Sequence, residues 1–146
     1  MSFAAIYKKM IDGVNLLGLS KDIDSIDVAK MSGAGTTTAL NAVTSTTTSS
    51  EIDIRGYKHI QLTLVGAAFS EGNFAVSFLG DSITGGTFGD IYRQLADGTY
   101  VKVADITISA NVTVTYVLPY IGCKYLKIKG TRTTDGTLTA YVTPFN

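Results

Sequence analysis

From Glu51 to the end of the chain, apolar and polar side chains alternate in short runs separated by turn residues. Ile52 and Ile54 alternate with Asp53 and Arg55 before Gly56; Ile60, Leu62 and Leu64 alternate with His59, Gln61 and Thr63; Phe74, Val76 and Phe78 alternate with Ala75 and Ser77. A period of two sends successive side chains to opposite faces of a strand, so each run reads as a strand with one buried face. Further runs follow at residues 91–95, 100–108, 112–118, 125–129 and 138–142. Their separators include Gly85-Gly86, Asp97-Gly98 and Asp135-Gly136, dipeptides that tolerate the positive φ of tight hairpin turns. With no helical run between them, these strands predict a mainly β fold, an antiparallel sandwich or jelly roll of about eight strands.

The first 48 residues have a different texture. Phe3, Ile6, Tyr7, Met10, Val14 and Leu17 recur at three- and four-residue steps, the spacing of one helix face. Ser2 can cap the start. Gly13 and Gly18 each weaken a helix by about 1 kcal/mol relative to Ala, which limits the expected helix to roughly residues 3–12. A helix that short is marginal alone and has to dock its apolar face on its own domain or on a neighbour. Residues 20–31 fit either a second short helix capped by Ser20 or an extended arm. Residues 32–50 are Gly, Ala, Thr and Ser around Leu40 and Val43, and their β-branched threonines favour extension, as in a linker carrying an edge strand. The expected organisation is therefore an N-terminal helix with a Thr/Ser/Gly-rich arm over 1–48 and a β-sandwich body over 49–146. Helix-in-groove binding uses the spacing of the six apolar stripe residues, which makes them the candidate partner-binding set.

Charge changes this picture in one respect. Only 16% of residues are charged while 45% are hydrophobic, against about 25% charged in an average soluble domain. A lightly charged, Thr- and Gly-rich chain suggests that much of its surface faces protein. Twelve basic residues balance twelve acidic ones, so no long-range field draws in nucleic acid or an anionic membrane. Lys124, Lys127 and Lys129 cluster, but Lys127 and Lys129 alternate with Leu126 and Ile128 and read as a solvated strand face. Cys123 is the single cysteine, which excludes an intramolecular disulfide and a Cys-based metal site. Asp12 interrupts what would be the apolar core of a signal peptide, and no run reaches the roughly 18 apolar residues of a membrane span. The chain is expected to be made in the host cytoplasm.

Candidate chemistry is sparse. The string Phe78-Leu79-Gly80-Asp81-Ser82-Ile83-Thr84 resembles the first block of the GDSL hydrolases, whose serine is the nucleophile. Such an esterase needs a histidine to take the serine proton and an aspartate to orient it, both late in that family's chains. Here the one histidine, His59, lies upstream, no Asp-x-x-His follows, and the context is all β. The plainer reading is a loop, Gly80 to Gly86, in which Asp81 and Ser82 make local backbone hydrogen bonds. A lone histidine builds no metal site, and neither Asp22, Asp24 and Asp27 nor Asp81 and Asp90 have the spacing of a calcium loop. Gly33-Ala34-Gly35 lacks the lysine and third glycine of a phosphate loop. Asn111-Val112-Thr113 fits a glycosylation acceptor but reads better as a strand start. Tyr92, Tyr100, Tyr116, Tyr120, Tyr125 and Tyr141 fall in or beside strands, where aromatics pack cores and cross-strand pairs, although exposed ones could stack on sugars. The expectation is no catalysis, no metal and no cofactor.

The stretch from Ser49 to Asn146 resembles the small β-sandwich virion proteins of tailed phages, most of all the head decoration, or cement, proteins. The likeness is carried by Ser50-Glu-Ile-Asp-Ile-Arg-Gly-Tyr-Lys-His-Ile leading into the first strand, by Gly122-Cys-Lys-Tyr-Leu-Lys-Ile-Lys, and by Asp135-Gly-Thr-Leu-Thr-Ala-Tyr-Val-Thr-Pro-Phe-Asn as closing strand and tail. The resemblance implies a structural protein on the capsid surface that binds between major capsid protein subunits, often as a trimer, with terminal arms reaching neighbours. The alternative it leaves open is a carbohydrate- or receptor-binding sandwich of a phage tail or fibre.

Overall fold

The computed structural model describes residues 35–119 and 122–146. In chain order the strands are β1 Thr37–Val43, β2 Thr47–Thr48, β3 Ile52–Asp53, β4 His59–Ala67, β5 Phe74–Asp81, β6 Gly89–Asp90, β7 Tyr92–Gln94, β8 Tyr100–Lys102, β9 Ile106–Ile108, β10 Thr113–Pro119, β11 Tyr125–Arg132 and β12 Thr137–Phe145. One sheet has the order β1-β12-β4-β10. The other centres on β11 and β5, with β2 and β3 beside β11 and with β6 and β9 beside β5, while β7 and β8 form a separate two-stranded ribbon. All pairings are antiparallel.

Alternation decides which side of each strand is buried. In the first sheet, Leu40, Ala140, Leu64 and Val114 form one cross-strand row and Val142, Leu62 and Tyr116 another. These rows face Phe74, Val76, Phe78, Leu126 and Ile128 of the second sheet, and together they make one hydrophobic core. The sheets come close at Gly130 of β11, where a Cβ would lie 3.1 Å from Leu138 Cδ2 and 3.2 Å from Leu40 Cδ1. The fold is thus mainly β and antiparallel, with two sheets packed face to face. Segments of the chain that cross between the sheets are pinned by Asp135. Its carboxylate, in the turn from β11 to β12, accepts the backbone N–H of Ser70 at 2.9 Å and of Gly72 at 2.6 Å, and also the Ser70 hydroxyl. Ser70 and Gly72 lie in the other crossing, from β4 to β5.

Three differences from the sequence-based expectation have physical causes. Twelve strands are described rather than about eight, in part because β2 and β6 are two-residue edge pieces, too short for a period of two to register. The run 100–108 is split, since β8 pairs with β7 and β9 pairs with β5. Between them Lys102 bridges Asp90 at 3.3 Å and Asp105 at 3.6 Å. Third, part of the expected arm is built into the sandwich: β1 pairs with β12, and Leu40 is only 2% exposed. The expected helix over 3–12 and the stripe Phe3, Ile6, Tyr7, Met10, Val14 and Leu17 lie outside the described residues.

Candidate functional site: an uncharged sheet face

The outward face of the first sheet is built by the polar positions of the same alternation. On β12 these are Thr137, Thr139, Tyr141, Thr143 and Phe145; on β4 they begin with His59, Gln61, Thr63 and Val65; on β10 they are Thr113, Thr115 and Val117. None of the four strands contains Asp, Glu, Lys or Arg. Several threonine hydroxyls are satisfied within the face. Thr63 and Thr115 hydrogen-bond across β4 and β10 at 3.0 Å, and Thr36 and Thr143 at 2.9 Å. Thr139 Oγ1 accepts the N–H of Ala42 at 3.0 Å, and Thr137 Oγ1 donates to the Ala67 carbonyl at 3.3 Å. His59 packs its ring on Phe145, 5.3 Å between centroids. A neutral face whose hydroxyls already have partners loses little when water is removed, whereas burying a charge is costly unless it is paired.

The second sheet presents the opposite. Its outward positions include Lys127 and Lys129 on β11 and Asp53 on β3. Loops lie against it: Lys127 Nζ sits 4.2 Å from the centre of the Phe88 ring, and the Arg55 guanidinium lies 5.1 Å from that of Tyr125 while bonding Asp53 at 2.6 Å. Glu51 accepts from Thr84 Oγ1 at 2.6 Å and Gly85 N at 2.8 Å. These two hydrogen bonds, Thr84 foremost, hold its carboxyl below the usual value.

The catalytic-looking string falls where β5 leaves this second sheet. Asp81 Oδ1 accepts the N–H of Ser82 at 2.6 Å and of Ile83 at 3.0 Å, closing a local turn. His59 stands at the start of β4 in the other sheet. The structure therefore does not bring Ser82, Asp81 and His59 together as a triad. Cys123 is buried, and desolvation pushes its thiol up to about 11, which disfavours the reactive thiolate. Asn111 Oδ1 accepts the N–H of Phe69 at 3.0 Å, a loop contact ahead of β10. Among the described residues, no group of three or more His, Cys, Asp and Glu side chains is placed to hold a metal. Of the tyrosines, Tyr125 is buried, Tyr116 and Tyr141 are half-buried, and Tyr92 and Tyr100 are 58% and 67% exposed on the ribbon. Tyr92, Arg93 and Gln94 line a cavity of about 350 Å³ with Val103, Leu118 and Pro119.

No family model matches the chain, and no curated protein does. Among solved structures, the fold is similar to the crystal structure of the SPBc2 prophage-derived protein YomS. The TM-score is 0.50 at 11% identity, over 75% of this chain and 90% of that one. At that identity the likeness is one of fold. The helical spacing of the N-terminal stripe stands out in the sequence, whereas the uncharged face becomes plain only once the strands are placed: four strands in one sheet without a charged residue.

Proposed function

We propose that this chain is a structural protein of a tailed-phage particle that decorates or cements the capsid, binding between major capsid protein subunits and acting without catalysis or cofactor. The observation that carries this reading is the uncharged threonine face of the β4/β12 sheet, on a β-sandwich that shares its fold with a prophage-derived protein. A shell protein has to bury a broad, rigid surface on a symmetric lattice, and a flat, charge-free sheet does so at low desolvation cost. The work is positional, so the Gly80–Ser82 string needs no chemical role. Immuno-electron microscopy of virions that carry this gene tests the proposal. Label over the head surface, in near-stoichiometric amount to the major capsid protein by quantitative mass spectrometry, is the expected result. Protein absent from purified virions sinks it.

A second reading is supported by the exposed Tyr92 and the cavity beneath it. A tail or fibre sandwich could stack a sugar ring there, and label on the tail, together with glycan binding that Tyr92→Ala removes, would replace the cement reading with this one.

A further inference from the structure

Each sheet of an open sandwich has two edges, where backbone N–H and C=O groups lack a strand partner, and proteins that remain monomeric blunt such edges with bulges, charges, prolines or short strands. Three of the four edges here are blunted. The β1 edge has two register shifts, between Thr38 and Leu40 and between Leu40 and Val43, with Ala42 at a φ of 44°. The edges of the second sheet are broken into the pieces β2 and β3 on one side and β6 and β9 on the other. The fourth, β10, is different. It pairs with β4 residue by residue from Thr113 to Pro119 without a bulge, carries no charge, and has its one proline at the last position. Among the described residues no strand pairs with its far side.

The ladder identifies which groups face outward. Val112 and Gly66 exchange both backbone hydrogen bonds, at 2.8 and 3.1 Å. Antiparallel ladders alternate bonded and non-bonded pairs, so Val114, Tyr116 and Leu118 bond β4, and the amides of Thr113, Thr115 and Val117 point away from it. The side chains agree with an uncovered edge: the core-side Val114, Tyr116 and Leu118 of β10 are only half-buried, whereas the core-side residues of β4 and β12 are buried.

We infer that β10 pairs antiparallel with β10 of a second copy of this chain, about a two-fold axis through Thr115, to join two four-stranded sheets into one of eight. The sequence of the strand is complementary to its own reverse. In this register Thr115 meets Thr115, and Thr113 meets Val117, so that all three outward residues find both a donor and an acceptor. On the core side Val114 meets Tyr116 and Val112 meets Leu118, apolar against apolar, with no charge opposed anywhere. A second copy is the occupant because a two-fold contact requires a self-complementary patch. The uncharged outer face then continues unbroken across both molecules. This pairing is independent of the virion reading and stands or falls without it.

The test is the mass of the full-length protein by light scattering and sedimentation over a concentration series reaching about 100 μM. Two copies are expected, in a concentration-dependent equilibrium. Thr113→Lys combined with Val117→Lys sets like charges opposite each other at both ends of the joint and weakens the dimer by roughly tenfold or more, while circular dichroism stays that of the folded protein. Thr113→Glu combined with Val117→Lys sets opposite charges there and restores the two-copy mass. A single-copy mass throughout the series, a three-copy mass, a dimer indifferent to the double lysine variant, or failure of the Glu/Lys pair to restore it would each overturn the inference.

Discussion

On β11, Lys127 and Lys129 stand between Leu126, Ile128 and Gly130; on β12, Thr139, Tyr141 and Thr143 stand between Leu138, Ala140, Val142 and Pro144. Both strands bury alternate side chains in the same core, and both have eight or nine residues. What differs is the use of the outward set. In the second sheet charges hold loops in place, Lys127 against Phe88 and Asp53 against Arg55, and those loops already cover part of the face. In the first sheet hydroxyls bond one another. Among the described strands, then, charge is not spread evenly: β1, β4, β10 and β12 carry none, which leaves the outward face of the first sheet cheap to dehydrate.

The two faces belong to one core, and the largest predicted effect is their joint loss. Phe74 is fully buried and meets Phe69 edge-on, 6.1 Å between centroids. Phe74→Ala is expected to cost about 3–5 kcal/mol in chemical denaturation, with both sheets lost in one transition. Separate transitions would mean the faces belong to units that fold independently.

The next effect concerns the staple between the sheets. Hydrogen bonds from Ser70, first the hydroxyl and then the N–H, lower the Asp135 carboxyl from 3.8 to about 2. A depressed carboxylate contributes stability that is present above its unfolded value and is lost as pH falls through its folded one. The folded protein should therefore weaken from about pH 4 down to about pH 2. Asp135→Asn should flatten that part of the profile and lower the melting temperature at neutral pH. An unchanged slope in thermal melts across this window would show that the two crossings are held by something else.

Smaller changes separate the faces themselves. Lys127→Ala removes the cation over Phe88 and is expected to cost about 0.5–1 kcal/mol, to increase hydrogen exchange in residues 82–88, and to leave particle binding intact. Gln61→Lys, on the exposed centre of β4, should change stability by less than about 0.5 kcal/mol and yet reduce co-sedimentation with capsids, because a charge then has to be buried. If the two variants exchange these phenotypes, the contact face is the charged one.

Asp135 illustrates how far the sequence could be read. Asp135-Gly136 was legible as a turn, and Gly136 does take a φ of 90°, but nothing in the local pattern says that the carboxylate reaches 63 residues back to Gly72. Leu40 shows the same limit from the other side. Its flanks are so polar that the segment reads as a linker carrying an edge strand; β1 is that edge strand, but the local pattern does not say that it joins β12 or that Leu40 enters the core. Ser82 shows the converse, a motif that is sharp in sequence and is separated in space from the histidine that its chemistry requires.

By itself, then, the sequence determined the mainly β class, the period-two division of each strand into a buried and an outward side, and the positions of most turns. These are local properties, set by φ/ψ preferences and by side-chain alternation within a few residues. Only the tertiary structure decided which strands share a sheet. The four charge-free strands are scattered across residues 37–145, and their neighbours in the chain belong to the charged sheet. Whether they form one neutral face or four isolated neutral stripes depends on strand order, which is fixed by the joint burial of distant apolar rows and not by any local signal.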